Sequence, residues 1–387
     1  MKEISLIIPT INFVDITNKA LKAAIRQTFP PSEIIIIDSS NSDQIKDLIT
    51  RLETDIPIIY KKVKNLFPGE ARNEGVRLSN YQWLAFLDSK TIPKNNWLKD
   101  NIELLEDENL DVVFGSTKYE AETEFQKCLR ACTYGRGLIE TTPGTIISKD
   151  HFELIGGFQE KVRAGEDIAW RQKIIDSTLH SLTSNKLNLT YLGLPKGLLE
   201  SIKRFFVYQL HGARVDIQNT NKNIFLGLFL ILVTLIVPKW NYIVGFESSL
   251  FVPNITTIYI TILLTIPVIL IIFNKVYVRN INVFLSFSYK IALFILFFYG
   301  ALRWNYVIAD FVEDSILFIP HITKIYLATV ISISFIYRGL FFPLSNNFRL
   351  SELMPFWWIK VGLLGLMLDL AKAPGYLLGA ILKPIKR

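Results

Sequence analysis

Over its first 116 residues the chain alternates short apolar runs with stretches of helical spacing. Ile4 to Pro9 predicts a strand, and Asp15 to Gln27 a helix with Ile16, Ala20, Ala23 and Ala24 near one face. Glu33 to Asp38 contains the unbroken run Ile34 to Ile37, the pattern of a strand buried on both faces. Asp43 to Glu53 reads as a helix with Asp43 as its cap. Ile56 to Tyr60, Trp83 to Asp88 and Asp111 to Ser116 read as further strands, separated by helices at Glu70 to Leu78 and Asn96 to Leu105. Alternating strands and helices predict an α/β fold with a mostly parallel, doubly wound sheet. Such sheets bind ligands beyond the carboxyl ends of their strands. Thr10, Asp38 and Asp88 all fall at those ends.

The texture changes after residue 223. Ile224 to Val237, Ile255 to Phe273, Ile281 to Leu302 and Ile322 to Phe342 are long and predominantly apolar, although Lys290 interrupts the third. A helix crossing a bilayer needs about 20 such residues. Lys275 and Arg279 lie between the second and third runs, Arg338 and Arg349 at or after the end of the fourth, and Asp310, Glu313 and Asp314 in the loop between. Basic loops inside and an acidic loop outside predict four crossings with both termini cytosolic. Two flanking segments read as interfacial. Lys196 to Arg214 places Leu199, Ile202, Phe206 and Leu210 on one face, with Lys203, Arg204 and Arg214 near lipid phosphates. Pro355 to Lys383 is apolar but broken by Asp369, Lys372 and Pro374, which favours the membrane surface over a fifth crossing.

Charge supports this division. The net charge is +7, and residues 224–387 hold 13 Lys/Arg against 6 Asp/Glu, which leaves 29 of each in the remainder. The basic excess therefore belongs to the apolar half, and no nucleic-acid partner is expected, because such a domain is basic where it is soluble. Two cysteines, Cys128 and Cys132, are no disulfide framework and read as buried thiols at i, i+4; the four histidines are scattered. The first residues lack the apolar core and cleavage site of a signal peptide, so the first half is expected in the cytosol.

Five motifs then follow in order. Pro9-Thr10-Ile11-Asn12 closes the first strand, Ile34 to Ser40 reads IIIIDSS, Gly69 to Gly75 reads GEARNEG, and Phe86 to Lys90 reads FLDSK. Gly156-Gly157-Phe158 precedes Gly165-Glu166-Asp167. Over residues 1 to 215 this order resembles the family 2 glycosyltransferases, whose fold is the Rossmann-like GT-A nucleotide-sugar domain. The layout expected is that domain over 1–195, an amphipathic linker over 196–223, a helical membrane domain over 224–345, and a C-terminal interfacial or membrane helix over 346–387.

The resemblance implies roles. Asp38 would recognise the base or ribose of a nucleoside diphosphate sugar, with Pro9, Thr10 and Asn12 beside it. Gly69 would permit an unusual backbone turn, and Arg72 and Asn73 would flank the nucleotide, with Arg72 able to pair a phosphate. Asp88 matches the first aspartate of an Asp-x-Asp motif that holds a divalent ion, Mg²⁺ or Mn²⁺, on the diphosphate. Here the motif reads Asp88-Ser89-Lys90. Either Asp88 alone still holds the metal, or Lys90 supplies the positive charge itself, since an ammonium cannot ligate a cation. Glu166-Asp167 matches the pair whose aspartate is the general base of inverting members, with a helix cap as its structural alternative. Gly156 and Gly157 would lie on the acceptor side with the GTII segment Gly144 to Ile147. Arg171 faces either the same cleft or solvent. Independently of the resemblance, Tyr134 and Arg136 with the glycines around them are expected to form a flexible lid.

These readings imply a membrane-bound, inverting glycosyltransferase of cell-envelope or polysaccharide synthesis, acting on a lipid-linked or glycan acceptor beside membrane lipid. A processive polysaccharide synthase is opposed by the absence of Gln-x-x-Arg-Trp near the first apolar run, where Lys203 to Leu210 reads KRFFVYQL. A transporter would place more ionisable residues within the apolar runs than Lys290. A non-catalytic sugar-nucleotide-binding scaffold is supported by Lys90 and opposed by the intact Glu166-Asp167 pair.

Overall fold

The structure, a computed structural model, describes residues 2–213, 215, 240–255, 258 and 331–381. The chain divides into two compact units: residues 1–218 with 337–379, and residues 219–336 with 380–387. Within the second unit a short helix, Trp240–Val244, is followed by a turn in which Asn241 bonds both the N–H and the C=O of Val252. The first three apolar runs fall almost wholly outside the described residues, as do residues 322–330 of the fourth, whereas residues 331–342 are described and helical. Among the described residues no helix is long and apolar enough to cross a membrane.

The first unit is built on a nine-stranded sheet. Its elements in order are β1 (Ile4–Thr10), α1 (Val14–Ile25), β2 (Glu33–Asp38), α2 (Gln44–Thr50), β3 (Ile58–Lys62), α3 (Pro68–Leu78), β4 (Trp83–Phe86), β5 (Thr91–Pro93) and α4 (Trp97–Asp107). Then come β6 (Val112–Tyr119), α5 (Glu124–Thr133), β7 (Ile139–Ser148), α6 (Lys149–Ile155), α7 (Glu166–Ile175), β8 (Ser181–Thr183), β9 (Leu189–Tyr191) and α8 (Leu198–Gly212). The strand order is β3-β2-β1-β4-β7-β6-β9-β5, with β8 also on β6. β3, β2, β1 and β4 are all parallel, as the alternating pattern predicts.

The unbroken isoleucine run explains the centre of the sheet. Successive side chains of a strand point to opposite faces. Ile34 and Ile36 enter one core with Leu6, Leu21, Trp97 and Leu98, beneath α1 and α4. Ile35 and Ile37 enter the other with Phe86, Phe152, Phe158 and Trp170, beneath α3, α6 and α7. Each fully buried isoleucine contributes roughly 1.5–3 kcal/mol, so the strand is stable only with both faces covered.

The expected parallel continuation stops at β4. β7 lies between β4 and β6 and is antiparallel to both. The segment Gly144 to Ile147, expected on the acceptor side, therefore lies in the second half of a core strand, and Gly144 takes φ +92. A Cβ on Gly115 would lie 2.0 Å from Pro143 O, so glycine permits the close approach at the bulge between β6 and β7.

The C-terminal segment packs on the sheet domain. Residues 357–381 form one helix whose Val361, Leu364 and Leu368 pack with Cys128, Leu129 and Cys132 of α5 and Phe205 of α8. The face of α8 expected to meet lipid partly meets this helix instead. A Cβ on Gly375 would sit 2.4 Å from Phe206 O, and one on Gly379 2.1 Å from Leu210 O. Arg338 forks onto both oxygens of Asp369, at 2.7 and 2.8 Å, and Lys372 reaches the same carboxylate at 3.0 Å. The charges that interrupt the apolar pattern are thus neutralised within the protein. Tyr134 and Arg136, expected in a lid, both have partners within this unit. Tyr134 stacks on Tyr119 at 4.2 Å, and Arg136 pairs Glu352 at 2.6 Å.

Candidate active site

A cleft of about 550 Å³ opens beyond the carboxyl ends of the parallel strands. Pro9, Thr10 and Ile11 come from β1 and its end, Asp88, Ser89 and Lys90 from the loop after β4, and Phe67 and Pro68 from the start of α3. Arg163, Tyr191 and Tyr208 close the other side. The turn carrying Asp88 is rigid. Leu87 N–H donates to Ile7 O, and the Asp88 carbonyl accepts from both the N–H and the hydroxyl of Thr91. The strand expected to run to Asp88 ends at Phe86, which frees the aspartate to leave the sheet and line the cleft.

Arg72 is the hub. Its guanidinium is buried and donates to Asp88 Oδ1 at 2.7 Å and to Glu166 Oε1 at 3.3 Å. It reaches both because α3 lies close on β1: a Cβ on Gly75 would meet Ile7 Cγ2 at 2.4 Å. Asp88, Glu166 and Asp167 all hold the guanidinium in its charged form against its burial. Arg72 thus joins a donor-side carboxylate to the Glu166-Asp167 pair.

Glu166 and Asp167 open α7 behind Gly165, whose φ of +92 turns the chain into the helix. A helix N-terminus favours negative charge. Glu166 faces inward and is 3% exposed. Burial, then the neighbouring Asp167, raises its pKa to about 7 against the pull of Arg72. Among the described residues its Oε2 has no hydrogen-bond partner. Asp167 is half-buried, and among the described residues its carboxylate has no hydrogen bond or ion pair. It acts electrostatically on Tyr208, a wall of the cleft, whose phenol is raised chiefly by burial and further by Asp167 and Asp88. A half-buried carboxylate that acts on the cleft wall, with no partner among the described residues, has the chemistry of a general base.

The remaining residues resolve into those on the cleft and those behind it. Lys90 lines the cleft, with Nζ 3.3 Å from the centre of the Phe13 ring. Burial, then Arg204 and Arg163, lowers its pKa to about 8. Asp38 is fully buried. One oxygen accepts from Ser40 N–H at 2.8 Å, and the other from Tyr60 Oη at 2.9 Å and Lys62 Nζ at 3.3 Å. Thr10 Oγ1 shares a hydrogen bond with Thr17 Oγ1. Asn12, at φ +54, donates its N–H to Ser40 and lines a neighbouring surface cavity with Phe13 and Gln44.

Gly69 does not make the unusual turn expected of it. It lies inside α3 outside the positive-φ region, and a Cβ there would meet Glu166 Cγ at 2.8 Å. Asn73 clamps the loop before α7 by bonding both the N–H and the C=O of Phe158. Gly156 and Gly157, at φ +85 and +58, turn the chain out of α6 into that loop. Arg171 donates to Glu140 O at 2.6 Å and ties α7 to β7; it is not on the cleft.

Arg163, Tyr191 and Tyr208 were not legible as site residues. Each is a single side chain on a distant element, and only Arg163, two residues before Gly165, stands near a motif. Nor do the residues fit a protein-held divalent ion at Asp88. One of its oxygens is occupied by Arg72, Lys90 stands two positions on, and among the described residues no group of three His, Cys, Asp or Glu could hold a metal.

The parallel half of the mixed sheet ends in the cleft, and Asp167 acts on the cleft wall at Tyr208, within a domain of the α/β class. Residues 5–152 match the family described as Glycosyl transferase family 2. Over 193 residues the chain is 25% identical to Glycosyltransferase AglE of Haloferax volcanii, covering 46% of this chain and 63% of that protein. Over 125 residues it is 29% identical to the UDP-Glc:alpha-D-GlcNAc-diphosphoundecaprenol beta-1,3-glucosyltransferase WfaP of Escherichia coli, covering 32% of this chain and 49% of that protein. The chain thus spans less than two thirds of the length of either relative. Among solved structures, S. aureus TarS 1-349 in complex with UDP-GlcNAc aligns at 15% identity with a TM-score of 0.41, covering 57% of this chain and 70% of that one.

Proposed function

We propose that this chain is an inverting glycosyltransferase that moves a sugar from a nucleoside diphosphate to the hydroxyl of a lipid-linked or glycan acceptor. The observation that carries the reading is the bridge Asp88–Arg72–Glu166, which holds the cleft wall and the Glu166-Asp167 pair in one rigid frame. The nucleotide lies against Pro9, Thr10 and Phe67, with its diphosphate toward Ser89 and Lys90. Asp167 takes the proton of the acceptor hydroxyl, whose oxygen attacks the anomeric carbon opposite the leaving diphosphate. That carbon–oxygen bond forms as the bond to the diphosphate breaks, so configuration inverts. The family match over residues 5–152 supports the transfer chemistry. The likeness to a protein named for a diphosphoundecaprenol-linked acceptor supports the acceptor class.

The same reading makes the protein an integral, multi-pass membrane enzyme of cell-envelope or polysaccharide synthesis, in contact with membrane lipid and with its catalytic half cytosolic. Its support is the hydropathy and loop charge of residues 224–345. The test is nucleotide release by the full-length protein from a panel of UDP- and GDP-sugars, with membrane lipid extract as acceptor. Acceptor-dependent release of one nucleoside diphosphate is expected; absence of release across the panel would reject the proposal.

A further inference from the structure

We propose that Lys90 and Arg163 form a built-in cationic cradle for the donor's diphosphate, doing with side chains what a bound divalent ion would otherwise do. This rests on the glycosyl-transfer reading and deepens it by naming what holds the leaving group.

The first support is the charge of the cleft. Its wall carries one carboxylate, Asp88, against two cations, Lys90 and Arg163. Asp88 is already paired with Arg72 at 2.7 Å, so its charge is largely spent before any ligand enters. Arg204 stands close enough to act on Lys90, with its own Nη1 on Gly193 O and Nη2 on Glu200 at 3.1 Å. A concave, partly desolvated surface with uncancelled positive charge selects a compact polyanion.

The second support is how Lys90 is held. The turn Asp88–Thr91 fixes its backbone, and a Cβ on Gly193 would lie 2.6 Å from Lys90 Cδ, so the glycine leaves room for its stem. Nζ rests over the Phe13 ring and makes no ion pair among the described residues. An ammonium in that position lacks an anionic partner at short range, and a phosphate oxygen supplies one. With its pKa lowered only to about 8, the side chain still carries its proton at neutral pH. Anion binding would stabilise that charged form further.

The third support is the donor set. A metal bridging a diphosphate takes oxygen ligands, commonly one or two carboxylates with the phosphates themselves. Here the second position is occupied by an ammonium that repels a divalent ion from the same spot.

The experiment is calorimetric binding of UDP and GDP to the full-length protein in detergent, in EDTA and in Mn²⁺. For whichever nucleotide binds, equal affinity in the two conditions is expected. Lys90→Gln should weaken binding at least tenfold in EDTA, and Arg163→Gln should weaken it in the same direction. Lys90→Arg should keep most of the affinity, which shows that charge and not folding is at issue. Lys90→Asp creates a second carboxylate and should bind at least tenfold more tightly in Mn²⁺ than in EDTA. Binding that requires Mn²⁺ in the unaltered protein, or that survives Lys90→Gln unchanged, would overturn the cradle and leave the transfer reading standing. If neither nucleotide binds in either condition, both fall.

Discussion

Glu166 and Asp167 are adjacent in sequence and differ in surroundings. Glu166 is drawn into the core against Arg72, whereas Asp167 remains half-exposed without a hydrogen-bond partner. Asp167→Asn removes the base without removing volume. It should lower turnover by about 10²–10⁴-fold and leave nucleoside diphosphate affinity within about twofold, measured by nucleotide release and calorimetry in parallel. Retained turnover would return Asp167 to a capping role. Glu166 has a stability signature. Its folded pKa of about 7 lies above its ordinary 4.5. Between those values the folded protein binds more protons than the unfolded chain, so stability falls as pH rises from about 4.5 through about 7. Glu166→Gln removes that slope, worth on the order of 1–3 kcal/mol. Thermal unfolding at pH 5 and pH 8 should show a smaller difference for the variant than for the unaltered protein. Asp38, Asp88, Glu166 and Asp167 each stand in a recognisable short motif; of these Asp88 lines the cleft, whereas Asp38 is fully buried and does not. Arg72 was legible as a residue of the site, but not as the bridge between two carboxylates. That role needs α3 and α7 to meet, and residues 94 apart carry no local sign of doing so.

At the scale of elements, local pattern and local structure agree wherever one strand or helix buries a face by itself. β2 has the bounds its isoleucine run predicts, β1 ends one residue later than expected, and α3 starts two residues earlier at Pro68. Proline is well placed there because its missing N–H lies in the unpaired first turn. β5, β8 and β9 have three residues each, too few for a period to register. β7 escaped because its antiparallel insertion is a choice among long-range pairings. The contact that matters most to the site is Gly75 against Ile7. Gly75→Ala would force a methyl to 2.4 Å from Ile7 Cγ2. Overpacking of this kind costs typically about 1–3 kcal/mol, and here it would also lift Arg72 from Asp88. A lowered unfolding temperature together with weaker nucleoside diphosphate binding is expected.

At the scale of the molecule, the chain leaves the sheet domain after α8 and residues 337–379 come back to it. Hydropathy alone cannot distinguish an apolar helix that faces lipid from one that covers a protein core, since both bury the same side chains. The distinguishing sign is where its charges go. Asp369 and Lys372 would be costly against hydrocarbon, yet here they are buried with Arg338, which also donates to Cys132 O on α5. The three charges form a cation–anion–cation arrangement in which Asp369 serves both partners. Removing the shared carboxylate should therefore cost more than removing one cation. Asp369→Asn removes the carboxylate that both Arg338 and Lys372 contact, and breaking a buried pair in this way costs about 3–5 kcal/mol. Arg338→Met leaves the Asp369–Lys372 pair intact and should cost about half as much, the loss of charged hydrogen bonds at roughly 1.5–3 kcal/mol. Unfolding midpoints of the two variants give the ranking directly. If Arg338→Met were the more damaging, the clamp of Arg338 onto α5 would outweigh charge balance in holding the C-terminal helix to the catalytic domain.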